Sequence, residues 1–455
     1  MNCRKVYKYE LRYTNMDLRR AYVFRLYPDI KRQKEIDEKL LLAQRLYNTI
    51  LEKVKSGYEK NKISNISKST LNKYLKEAIN ENKDFLKLYS QTRQDVFIRL
   101  LKAFRNFFRR CEEKKSGKKI KAGFPRFKSI DRYRSITYPQ NNGSFSIEKE
   151  RKVYMLRVSG IGRMKIELHR SIEGEIKTLT IKKKAGEYYA IFTTVKEVQV
   201  PEVADTNSVG IDMGLNSFVV LSDGTKIEKP NFAKKSAKHI ARWQRIVARR
   251  NKGSKRREKA KQKLQRKWEH VANQSSDFAQ KLSSKLVKSG YTSFALEELN
   301  IGNMVKNHNL AQSIYAASWR KFMQMLSYKA ESAGLRVFVV DAKDTTQECS
   351  RCGHVKTGDE RLSLSERVYH CNVCGLTIDR DINSALVIKK RMEMLKRATP
   401  GQGGSNALGD AASTMQKASQ VASMNQEPTL QPFVAGEAHE FIRGRMSHYW
   451  CLLEE

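Results

Sequence analysis

Residues 208–227 read SVGIDMGLNSFVVLSDGTKI. An apolar strand runs into a turn carrying Gly214 and Asn216, a second apolar strand follows, and Asp223-Gly224 turns the chain into a third. This pattern predicts a three-strand meander. One residue breaks its apolar logic. Asp212 stands inside the first strand, where a carboxylate is costly to bury unless a metal or a partner neutralises it. Gly210 and Gly214 beside it leave room for close approach.

Two further acids stand in comparable settings downstream. YTSFALEEL (291–299) reads as a strand ending in acids, a helical stretch with Trp319, Phe322, Met325 and Leu326 follows, and LRVFVVDA (335–342) reads as another strand. Together they predict a βαβ unit and hence a mixed α/β sheet. Strand alternation puts Glu297 and Glu298 on opposite faces, so only one of the two can share a site with Asp212. In TIDRDINSALVIKKRM (377–392), Asp379 fits an N-terminal helix cap, which leaves Asp381 in the first turn, free to face the sheet. Asp212, one of Glu297 and Glu298, and Asp381 are therefore the candidate catalytic acids. Hydrolysis of a phosphodiester by two divalent ions needs such carboxylates, and their oxygens suit Mg2+ or Mn2+.

Between the last two acids lie Cys349-Ser-Arg-Cys352-Gly353 and Cys371-Asn-Val-Cys374-Gly375, with 18 residues between the pairs. Two such knuckles close one tetrahedral zinc site, with a Gly after each pair for the tight turn. Four thiolates leave no open position for water, so this zinc is structural and catalysis belongs to the acids. The remaining cysteines, Cys3, Cys111 and Cys451, stand alone.

The rest of the composition points to a polyanionic partner. The 455 residues hold 88 Lys and Arg against 48 Asp and Glu, a formal net charge of +40 with a pI near 9.9. Residues 231–289 read as helical, and between Arg242 and Lys267 there are 13 Lys or Arg and a single acid, Glu258. Mixed charges stabilise a solvated helix, whereas near-uniform positive charge repels itself unless phosphates offset it. Arg242, Arg245, Arg249, Arg250, Lys255 and Arg256 are thus candidate nucleic-acid contacts. No stretch approaches the roughly 18–20 apolar residues of a spanning helix, and the N-terminus lacks the apolar core and cleavage site of a signal peptide. The expectation is a cytoplasmic protein, at the nucleoid when bound to DNA, with no membrane partner.

Upstream, AYVFRLYP (21–28) reads as a strand and residues 30–115 as a Lys-rich helical block. Two hairpins follow, FSIEKERKVYMLRV and LTIKKKAGEYYAIFTTV, forming a small β-domain that the N-terminal strand is expected to join. Beyond about residue 398 the composition turns to Gly, Ser, Ala and Gln, which predicts a disordered tail.

These motifs resemble the TnpB (OrfB) family of transposon-encoded nucleases, relatives of the type V CRISPR effectors. GIDMGLNSFVVLSDG resembles the family's first RuvC motif, LEELNIGNM its second, and CSRCG with CNVCGLTIDRDINSA the zinc ribbon and third motif; FRLYP, LYNTILE, GFPRFKS and SITYPQ are similar to its N-terminal half. The resemblance implies an RNA-guided DNA endonuclease encoded by a transposable element. It would use a guide RNA derived from the transposon end, recognise a short motif beside a double-stranded DNA target and cut in one RuvC-like, RNase H-like site. It also implies that Asp212, Glu297 and Asp381 occupy the catalytic positions.

The domain order it implies is a wedge β-barrel (1–29 and 116–203) interrupted by a helical recognition domain (30–115). The RuvC-like domain (204–344 and 377–398) follows, holding the basic segment 231–289 and an inserted zinc ribbon (345–376), and then the tail (399–455). Arg126 and Lys128 in GFPRFK become candidate backbone contacts. Two other readings stay open: an RNA-guided DNA-binding regulator without nuclease activity, and a transposase with RNase H-like chemistry. Oligomeric state is not specified by the sequence.

Overall fold

The computed structural model describes residues 13–61, 66–117, 120–201, 204–299, 304, 318–363 and 365–398. The expected tail lies outside the described residues. The described residues divide into two compact units, Asp17–Glu197 and a second formed by residues 13–16 with those from 198 onward.

In the first unit, strand β1 (Tyr13–Tyr27) leads into helices α1 (Ile30–Asn61), α2 (Lys68–Glu81) and α3 (Ser90–Lys115). Strands β2 (Ser135–Tyr138), β3 (Phe145–Glu150), β4 (Val153–Val158), β5 (Gly162–Glu167), β6 (Glu175–Lys184) and β7 (Glu187–Pro201) follow. They form a seven-stranded sheet in the order β2-β6-β7-β1-β5-β4-β3. The two hairpins and the recruitment of the N-terminal strand agree with the sequence pattern: β3 pairs β4, β6 pairs β7, and β1 pairs β5 from Arg25↔Glu167 to Tyr27↔Lys165. Of the expected wedge β-barrel the structure shows a curled half-barrel sheet, with β2 and β3 at its edges among the described residues. Helices and sheet share one core. Leu46, Ile50, Val96, Leu100 and Phe104 from the helices bury in the same cluster as Phe24, Ile136, Leu156, Ile166, Leu179 and Phe192 from the strands.

The second unit is built on a five-stranded mixed sheet in the order β10-β9-β8-β11-β12. Its strands are β8 (Ser208–Asp212), β9 (Ser217–Leu221), β10 (Lys226–Glu228), β11 (Ser293–Glu297) and β12 (Arg336–Val340). The meander β8-β9-β10 is antiparallel, while β11 runs parallel to both β8 and β12. A parallel β11–β12 pair needs a crossover, which α6 (Trp319–Ser332) supplies. Helices α4 (Phe232–Arg249) and α5 (Lys255–Val287) form the basic pair, sealed by Ile240, Val247, Ala260, Leu264 and Val271.

Alternation along the strands gives this sheet two faces. Val209, Ile211, Phe294 and Leu296 bury against Leu282 and Leu286 of α5 and Trp319, Phe322 and Leu326 of α6. On the other face, Ala295 and Val340 bury against Ile388 and Met392 of α7 (Arg380–Ala398). Gly210 lies on that second face, and its lack of a side chain matters: a Cβ there would stand 2.0 Å from the Ala385 carbonyl oxygen. Helix α7 thus rests directly on the β8 backbone. Between β12 and α7 the chain makes a small cysteine-bearing ribbon that includes the hairpin β13 (Val368–His370) and β14 (Thr377–Asp379).

Candidate active site and cysteine cluster

The sheet register brings the first two acids side by side. β11 pairs β8 as Ala295↔Gly210 and Leu296↔Ile211, and one step further on each strand come Glu297 and Asp212. Both share the face of Ala295 and Gly210, the face that α7 covers. Asp381 lies one helical turn before Ala385, the residue in contact with Gly210, so α7 delivers it to the same strand ends. Glu298 is exposed, as strand alternation requires. Asp379 caps α7: its Oδ1 accepts the N–H groups of Asp381 at 3.0 Å and Ile382 at 3.2 Å, and its other oxygen pairs with the Lys226 ammonium at 2.5 Å.

The acids sit in a setting that opposes their charge. Asp212 is 7% and Glu297 6% exposed. Burial, reinforced by the negative charges of Glu297 and Asp381, holds Asp212 well above the ordinary carboxylate range, with Arg380 and the Met213 backbone N–H only partly offsetting this. Burial also raises Glu297, against a hydrogen bond from Thr345 and the nearby Arg391. Arg380 pairs with Asp381 at 3.2 Å. Three clustered carboxylates, two of them buried, are stable as anions only beside positive charge, and hard divalent cations bind oxygen donors of this kind. The residues fit such an ion.

In the ribbon, the Sγ atoms of Cys349, Cys352, Cys371 and Cys374 all lie within 4.8 Å of one another. Among the described residues this is the group of three or more such donors close enough together to hold one metal ion. The pairs Cys349–Cys374 and Cys352–Cys371 are each 3.6 Å apart, against the roughly 3.8 Å expected around a tetrahedral zinc with Zn–S bonds near 2.3 Å.

The two knuckles repeat one geometry. Cys349 N–H donates to His354 O and Cys371 N–H to Leu376 O, both at 2.8 Å, while Gly353 and Gly375 N–H return to the first cysteine of each pair at 2.9 Å. Gly353 and Gly375 have φ of 79° and 70°, values that favour glycine. At Cys371, burial opposes ionisation, but the backbone N–H groups of Cys374 and Val373 together with the Cys352 and Cys374 thiols bring the thiol down to about 6. The donor set fits a structural zinc.

Among the candidate nucleic-acid contacts, Arg242, Arg245, Arg249, Lys255 and Arg256 are exposed on the α4–α5 pair. Arg250 is half-buried and donates to the Arg256 carbonyl. Arg126 is exposed. Lys128 has structural work: its ammonium lies 4.8 Å from the Tyr47 ring centre and 5.4 Å from that of Tyr133, and its carbonyl accepts from Gln44 and Asn48. Sequence reasoning missed Thr345, Arg380 and Asn383, which contact the acids or the knuckles. Only Arg380, between two acids in a motif already singled out, carried a visible signal.

This mixed sheet, with its buried acidic cluster and adjoining four-cysteine ribbon, has counterparts among known proteins. Residues 191–308 match the OrfB_IS605 family, described as "Probable transposase", and residues 319–388 match the Cas12f1-like TNB domain. A Streptomyces pristinaespiralis protein named as an RNA-guided DNA endonuclease is 29% identical over 380 residues, covering 81% of this chain and 88% of its own length. InsQ of Escherichia coli K12, with the same functional name, is 29% identical over 311 residues, covering 65% of this chain and 73% of its own. A Cas12f1 chain solved by cryo-EM with sgRNA and target DNA shares the fold at a TM-score of 0.52 and 13% identity, over 82% of this chain and 99% of that one. The chain is thus similar to the OrfB_IS605, or TnpB, family over residues 191–308 and to Cas12f1-like proteins over residues 319–388.

Proposed function

We propose that this chain is an RNA-guided DNA endonuclease of transposon origin, cutting target DNA at Asp212, Glu297 and Asp381 in an RNase H-like domain. The observation that carries the reading is the convergence of these acids, from β8, β11 and α7, on one end of one sheet face. The names of the full-length relatives support endonuclease activity guided by RNA. The net charge of +40 and the exposed arginines of α4 and α5 support a large nucleic-acid partner.

Mg2+ or Mn2+, when bound, would supply charge stabilisation of the scissile phosphate and an activated water, most simply as two ions. Asp212, Glu297 and Asp381 would hold it. Helix α7 and the β12 end close the sheet face, so that the carboxylates are partly dehydrated before the substrate arrives. Arg380, 3.2 Å from Asp381, keeps the cluster partly neutral. The four cysteines would hold one structural zinc. A guide RNA from the transposon end and a target-adjacent motif complete the proposal, with the helical block and half-barrel as the guide- and target-facing domains.

The test is to sequence RNA copurifying with the protein and then challenge it with a plasmid library containing the matching target. A defined RNA with Mg2+-dependent, guide-directed cuts supports the endonuclease. Guided binding without cuts would make the chain a regulator, and no defined RNA would favour a transposase.

A further inference from the structure

The ribbon is joined to the acidic cluster by specific hydrogen bonds on both of its flanks. On the entry side, Thr345 follows β12 and precedes the first knuckle. It is 3% exposed, and its hydroxyl donates to Glu297 Oε1. A threonine has one hydroxyl proton, and the alternative acceptor, the Ala342 carbonyl, is farther away at 3.3 Å. The proton therefore goes to the carboxylate, the stronger acceptor.

On the exit side, Arg380 Nη1 donates to the Glu366 carbonyl at 2.9 Å, just before β13, while its Nη2 and Nε donate to Asp381 Oδ1 at 3.2 and 3.3 Å. Asn383, fully buried, receives the Ser350 N–H of the first knuckle at 3.0 Å and donates to the Glu348 carbonyl at 2.7 Å. Arg391 reaches from α7 to the Glu348 carboxylate at 2.6 Å.

A ribbon that only added stability, or only touched nucleic acid, would have no need to spend a buried hydroxyl on one acid and a guanidinium on another. Resting on the reading of the acids as a cation site, we infer that the cysteine ribbon is a brace for that site. Thr345 is the positioning residue for Glu297 and Arg380 the one for Asp381. Each side chain fixes its carboxylate in one orientation and ties that orientation to the knuckles. Hydrogen bonds that orient metal-binding groups are typically worth about 10–100-fold in metal affinity or activity.

The experiment uses the purified full chain, with Mn2+ as the probe followed by electron paramagnetic resonance, alongside zinc content and guided cleavage. Thr345→Val, nearly the same shape without the hydroxyl, is expected to keep one zinc per chain and guided DNA binding. It should weaken Mn2+ binding and slow cleavage by about 10–100-fold. Thr345→Ser restores the hydroxyl and is expected to return both to within a few-fold of the native values. Should Thr345→Val melt early, Arg380→Gln repeats the comparison at Asp381. Native Mn2+ affinity and cleavage in a folded Thr345→Val protein would overturn the inference, as would failure of Thr345→Ser to rescue. If Asp212→Asn binds Mn2+ like the native chain, the acids are not the cation site, and the underlying reading fails rather than the brace.

Discussion

The cysteine cluster and the acidic cluster lie in the same unit, separated in sequence by a few residues at their nearest, yet they are built in opposite ways. The cysteines are gathered by two local turns with the same hydrogen-bond pattern, each closed by a glycine at positive φ. The acids come from positions 212, 297 and 381 and meet only because β8 and β11 pair in one register and α7 lies on Gly210. One site is encoded by spacing and the other by packing. The four thiolates close to within 4.8 Å of one another, whereas burial and mutual repulsion hold the Asp212 carboxyl against ionisation. Perturbed carboxylates of this kind are what marks the acidic cluster as the candidate reactive site.

The sharpest break of this comparison is at the acids themselves. Asp212→Ala, Glu297→Ala or Asp381→Ala should lower guided cleavage by on the order of 10³-fold or more while target binding stays near native, measured by paired cleavage and gel-shift assays. At the cysteines the ranking reverses. Cys371→Ser should empty the zinc site, seen by metal analysis, and expose residues 345–398 to limited proteolysis; zinc binding coupled to folding is worth about 10–16 kcal/mol in small zinc domains. Unchanged metal content would remove the ribbon from the account.

Packing at the acidic site is tested by Gly210→Ala. The new methyl group has no room under the Ala385 carbonyl, and an overpacked contact of this kind costs about 1–3 kcal/mol, read as a lower melting temperature with reduced cleavage. Asp379→Ala sharpens the distinction between cap and ligand. It should cost about 1 kcal/mol and leave most of the cleavage intact.

The smallest effect is on pH. The folded chain keeps Asp212 protonated to higher pH than the unfolded chain does, so it binds that proton more tightly. Without divalent ions, stability from this group is fully present below the ordinary aspartate range. It declines as pH rises through the raised folded-state value. Asp212→Asn should flatten that decline in thermal melts and, at neutral pH, raise the melting temperature by about 2–4 °C per kcal/mol recovered.

The same contrast explains what was legible in the sequence. The meander 208–227, the βαβ unit, the two hairpins and the helix pair announce themselves through local periodicity, and each is present. Asp212 stood out because an acid in an apolar run violates that periodicity, and Asp379 because caps are local. What depended on pairing between distant strands was less visible. Among the described residues β2 and β3 are the edges of the half-barrel, and the helices within residues 30–115 share a core with the strands that follow them. Thr345 gave no signal at all, since a lone threonine before a knuckle acquires meaning only when the fold brings Glu297 beneath it.

The most direct measurement is guided cleavage of a matched plasmid by Asp381→Ala and Asp379→Ala side by side, with and without Mg2+. The account predicts Mg2+-dependent cutting by the native chain and by Asp379→Ala, and none by Asp381→Ala. Native-level cutting by Asp381→Ala, or cutting that persists without a divalent ion, would contradict it.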